Sequence, residues 1–97
     1  MAARAHVDTG SIVGTVTDSA GAVVSGATVS VTNEQTAARL TAKTGDDGHY
    51  IFTPLQIGTY SMVVEAGGFK KATIQNVHLD IQQQALLNVS LQLGTVT

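Results

Sequence analysis

Across residues 11–17, Ile12, Gly14 and Val16 alternate with Val13, Thr15 and Thr17, a period of two that predicts a strand with one face turned inward. Gly14 has no side chain to pack, so a neighbouring strand or side chain is expected to come close there, or the strand to bulge. Asp18-Ser19-Ala20-Gly21 is a turn by chemistry, because Asp bonds backbone groups ahead of it and Gly accepts positive φ. A loop through Ser25-Gly26 leads to a second strand, in which Ala27, Val29 and Val31 alternate with Thr28, Ser30 and Thr32 until the polar pair Asn33-Glu34. Residues 35–38 read as a short loop. Leu40, Ala42 and Thr44 then oppose Arg39, Thr41 and Lys43, whose long cationic side chains belong on the solvent face.

Asp46-Asp47-Gly48 turns the chain into residues 49–53, where Tyr50 and Phe52 share a face and are expected to anchor the core. Pro54 lacks an N–H and is expected to end that strand, Leu55 to point inward, and Gly58 to permit a tight start of the next. Tyr60, Met62, Val64 and Ala66 point one way and Ser61, Val63 and Glu65 the other, before Gly67-Gly68 breaks the run. After Phe69 and Lys70-Lys71 comes a less regular stretch in which Val77, Leu79 and Ile81 share a face. Finally Ala85, Leu87, Val89, Leu91 and Leu93 alternate with Leu86, Asn88, Ser90 and Gln92. About seven strands separated by frequent turn signals predict an all-β chain, a seven-stranded antiparallel Greek-key sandwich. The expected core is Tyr50, Phe52, Leu55, Tyr60, Met62, Val64, Leu87, Val89 and Leu91. Of the sheet edges, residues 69–78 read as protected and residues 85–93 as the regular, uncharged strand open to strand addition.

Ninety-seven residues suit one domain with a single core. There is no Cys, which rules out disulfides and thiolate metal or nucleophile sites. A net charge of −2 with five Lys and Arg gives no footprint for a phosphate backbone, so no nucleic-acid partner is expected. No apolar run approaches the ~20 residues a membrane helix needs, and no direct membrane insertion is expected. Residues 1–10 show no periodicity and are expected to be a disordered leader, residues 11–93 the domain, and residues 94–97 the start of a linker, so the chain reads as a module of a longer protein.

Gly14-Thr15-Val16-Thr17-Asp18, Gly21, Gly26-Ala27-Thr28-Val29, residues 44–50, Phe52, Leu55, Gly58-Thr59-Tyr60 and Gly67-Gly68-Phe69-Lys70 resemble, in order and spacing, the carboxypeptidase regulatory-like domains. These are small transthyretin-like, or prealbumin-like, sandwiches that bacteria attach to larger surface proteins. The resemblance covers about residues 11–93 and departs at Ser25, where many relatives carry Pro; this should loosen the loop. It implies a non-catalytic accessory module of a cell-envelope protein, foremost the N-terminal periplasmic domain of a TonB-dependent outer-membrane receptor. Its place would be the periplasm or outer membrane, and its partner the rest of the parent polypeptide or another envelope protein. The alternative is a carbohydrate-binding or adhesive accessory domain of a secreted hydrolase or peptidase. Trp is absent from the sequence, and the four aromatics are expected in the core or at its rim, which disfavours a sugar platform.

No catalytic, cofactor-binding or metal residue is assigned. Intradiol dioxygenases, built on a related sandwich, hold iron with two Tyr and two His, and by similarity of the region Gly48 to Tyr60 they would make Tyr60 a ligand candidate. Imidazoles must converge on one metal, whereas His78 stands alone and His6 lies in the leader. Transthyretin-like hydrolases carry a C-terminal motif with Tyr and Arg, which Leu93-Gly94-Thr95-Val96-Thr97 does not match. Glu65 and Asn88 could supply two parts of a pilin-type Lys–Asn crosslink, but residues 11–18 contain no Lys. Asp46-Asp47-Gly48 offers too few oxygens for calcium and reads as a turn. Lys70-Lys71 reads as a solvated pair.

Overall fold

Eight strands occupy the residues described by the computed structural model, 9–94: β1 Thr9–Asp18, β2 Thr28–Asn33, β3 Arg39–Lys43, β4 His49–Gln56, β5 Gly58–Glu65, β6 Ala72–Leu79, β7 Gln84–Leu86 and β8 Val89–Leu91. One sheet centres on β1, which is antiparallel to β4 and parallel to β7 and β8. The other has the order β3-β2-β5-β6, antiparallel throughout. Alternation decides which residues lie between the sheets: Ile12 and Val16, Val29 and Val31, Met62 and Val64, Val89 and Leu91 are all buried. Tyr50 and Phe52 are also buried, their rings edge-on at 6.0 Å, as are Leu55 and Tyr60. The expected sandwich is the observed one; eight of its nine expected core residues are buried, and the ninth, Leu87, is partly buried and packs against them.

Several boundaries differ from expectation. The final strand is two strands, which raises the count from seven to eight, and both run parallel to β1 at one common offset, Val13 beside Leu86 and Val16 beside Val89. The break falls where Leu87 crosses Gly14. A Cβ on Gly14 would stand 1.7 Å from the Leu87 carbonyl oxygen, so only glycine lets the last strand settle there. The Asn88 side chain replaces the missing ladder bond by accepting from the Thr15 N–H at 3.1 Å.

Pro54 does not end β4. Gly10 pairs with Leu55 and Ile12 with Phe52, so Thr53 and Pro54 together oppose Ser11 in a bulge. β4 is an edge strand, where a missing N–H costs no ladder bond, and the bulge returns Leu55 to the inner face. Ile81 does not join Val77 and Leu79: β6 stops at Leu79, the chain turns, and Ile81 is exposed. Leu93 lies past β8 and is 70% exposed. β1 begins at Thr9, inside the stretch read as a leader; residues 1–8 and 95–97 lie outside the described residues.

Candidate functional site

Both tyrosine hydroxyls are engaged by backbone. Tyr60 donates to the Gln56 carbonyl and Tyr50 to the Leu87 carbonyl, each at 2.6 Å. Burial pushes the Tyr50 pKa from 10.0 up to about 12. His78 follows Val77, the pairing partner of Tyr60, and alternation therefore places it on the opposite, solvent-facing side of the second sheet, 3.3 Å from the Thr59 hydroxyl. His49 is exposed on the outer face of the first sheet. Among the described residues neither imidazole bonds a tyrosine hydroxyl, and no three His, Asp or Glu could share a metal ion. His6 lies outside the described residues.

Asp47 is used by its own turn. Its carboxylate accepts from the His49 N–H and pairs with His49 Nδ1, both at 3.0 Å, while the Gly48 N–H closes onto the Gly45 carbonyl at 2.9 Å. The bond from the His49 backbone, with the imidazole beside it, holds the Asp47 carboxyl below the usual carboxylate value. Glu65 is in β5 of the second sheet, whereas Asn88 lies in the break between β7 and β8 and bonds β1 of the first, so the two are not neighbours across a ladder. The Lys70-Lys71 side chains are exposed.

Three polar residues do structural work that alternation does not reveal. Buried Thr44 accepts from the Ala27 N–H at 2.9 Å and donates to the Val24 carbonyl at 2.8 Å, which clamps the loop around Ser25. Asn33 accepts from the N–H groups of Gln35 and Thr36. Its position after a strand is a turn signal in the sequence. Asn88 bridges the break in the last strand, a role set by long-range register.

The surfaces offer more than the interior. On the outer face of the first sheet Ile51, Val13 and Leu86 stand side by side on neighbouring strands, with Ile51 and Leu86 exposed, along a shallow groove of about 310 Å³. A second groove, about 280 Å³, opens between the sheets near Leu40, Pro54, Leu55 and Tyr60. The far end of the last strand, expected to be open, is partly covered: the Lys70 N–H bonds the Gln92 carbonyl at 2.8 Å, and the Gly94 N–H bonds that of Gly68 at 2.9 Å.

A family model described as a carboxypeptidase regulatory-like domain matches residues 11–92. No curated protein matches the chain. Among solved structures, catechol 1,2-dioxygenase of Acinetobacter radioresistens is similar with a TM-score of 0.71 at 18% identity, over 91% of this chain and 53% of that one. This chain therefore spans about half the length of the dioxygenase. The dioxygenase domain of a dioxygenase carbohydrate-binding fusion from Streptomyces sp. SirexAA-E gives 0.71 at 13% identity, over 89% and 80% of the two chains. A protein of Bacteroides uniformis described as carbohydrate binding gives 0.69 at 19% identity, over 84% and 40%. At these identities the likeness is one of fold, the prealbumin-like sandwich.

Proposed function

The chain belongs to the carboxypeptidase regulatory-like domain family, and from that premise we propose that it is a non-catalytic accessory module within a longer envelope protein, the N-terminal periplasmic domain of a TonB-dependent outer-membrane receptor. The observation that carries the module reading is the parallel pairing of the first and last strands. Strands that run the same way bring the chain in at one end of the sheet and out at the other, the geometry of a rigid in-line spacer. The placement of reactive groups agrees, since the tyrosine hydroxyls are committed to carbonyls and the two described imidazoles lie on outward faces.

The receptor context rests on the resemblance of the sequence to domains of that setting. A sugar-binding role has less support: Tyr50, Phe52 and Tyr60 are buried and Phe69 is half-buried, so no aromatic platform faces solvent. The test is immunoblotting of fractionated source cells with an antibody to this domain. A band far larger than 10.0 kDa in the outer-membrane fraction is expected. A small cytoplasmic species alone would refute the assignment.

A further inference from the structure

Of the strand edges in this sandwich, three are interrupted. β4 carries the Thr53-Pro54 bulge. β6 bulges between Ile74 and Val77, where Asn76 has φ 61°, and the last strand breaks at Leu87-Asn88. β3 is different: it pairs with β2 residue for residue without a shift, and its far side has no strand partner.

The phase of the ladder shows which groups β3 offers. In an antiparallel pair, alternate residue pairs exchange both backbone bonds. The Asn33 N–H donates to the Ala38 carbonyl at one end, and the Thr44 N–H to the Ala27 carbonyl at the other. The bonded pairs between them are therefore Val31 with Leu40 and Val29 with Ala42. The N–H and C=O of Arg39, Thr41 and Lys43 consequently point away from β2, toward the open side.

Side chains narrow the occupant. Arg39, Thr41 and Lys43 share the outer face of this edge, and neither cation makes an ion pair among the described residues. Leu40, on the inner face, is 50% exposed at the mouth of the groove walled by Pro54, Leu55 and Tyr60. We propose that β3 docks an extended acidic segment of another protein, added as a further strand that bonds the backbone of Arg39, Thr41 and Lys43. Its carboxylates lie beside the two cations, and one aliphatic side chain enters the groove next to Leu40. A second copy of this chain fits poorly, because antiparallel self-pairing centred on Thr41 sets Arg39 against Lys43, cation against cation.

The full chain is titrated with a synthetic peptide of alternating glutamate and valine, and separately with its lysine and valine counterpart, while backbone amide resonances are followed. Saturable shifts are expected at Arg39, Thr41 and Lys43, weakening as salt rises, with the lysine peptide bound at least about tenfold more weakly. The double reversal R39E/K43E should invert that preference without disturbing the fold. Thr41→Pro removes an outward N–H that β2 does not use, so it should keep the fold and lose at least about tenfold in affinity. Equal affinity for both peptides, shifts centred on another strand, or self-association through β3 would overturn the proposal. Peptide binding does not depend on the parent architecture, so this result and the fractionation result can fail separately.

Discussion

Gly14, Tyr50 and Leu87 meet at one point: the Tyr50 hydroxyl holds the Leu87 carbonyl over the place where a Gly14 side chain would be. Gly14→Ala brings a methyl group against backbone, which cannot swing aside as a side chain tip would. It should cost about 1–3 kcal/mol or more, read as a lower denaturation midpoint. A loss under about 0.5 kcal/mol would mean that the last strand rides freely. Tyr50 also makes stability depend on alkaline pH. In the unfolded chain it ionises near 10.0, whereas the folded chain holds the proton to about 12. The unfolded state therefore binds fewer protons across that window, so the stability is complete below pH 10.0 and is lost as pH rises toward 12. Denaturant midpoints should fall over this range in the native chain and fall less in Tyr50→Phe. Equal slopes would assign the alkaline loss to other groups.

At the scale of elements, the Thr44 clamp lets the loop at Ser25 stay closed without the proline that many relatives carry. Thr44→Val keeps the shape but orphans the Ala27 N–H and Val24 carbonyl, an expected loss of about 2 kcal/mol in a denaturant melt, with Thr44→Ser recovering most of it. If serine and valine behave alike, the hydroxyl has no such role. Strands with clean alternation, such as Thr28–Asn33 and Gly58–Glu65, were legible in the sequence because one buried face forces a period of two. What was hidden depends on register between distant segments. The Pro54 bulge needs its partner Ser11, and the split at Leu87 needs Gly14, more than seventy residues earlier. Edge status was hidden for the same reason. Alternation in residues 39–43 and 85–91 reports which side faces inward, while sheet order decides that β3 lies open and long-range backbone bonds tie Gln92 and Gly94 to residues 68–70.

For the whole molecule, the consequential feature is that its first strand waits for its last. β1 pairs with Gln84–Leu86 and with Val89–Leu91, so one side of its sheet is completed by the chain's far end. Such non-local pairing orders a long loop before any contact compensates it, which predicts slow folding for a chain of this size. β8 also supplies Val89 and Leu91, both buried against β1 and its neighbours. Losing them removes about 1.5–3 kcal/mol each and uncovers Val16 as well, a large share of the roughly 5–15 kcal/mol that stabilises an ordinary domain. With no disulfide to hold the remainder, a chain ending at Leu86 should not fold, and its amide proton spectrum should be collapsed. Adding a synthetic peptide of residues 87–94 should restore dispersed resonances, because the register with Val16, Thr17 and Asp18 is encoded in β8 itself. A truncated chain that melts cooperatively without the peptide would show that β1, β4 and β7 close the first sheet without β8, and that Val89 and Leu91 are dispensable to the core.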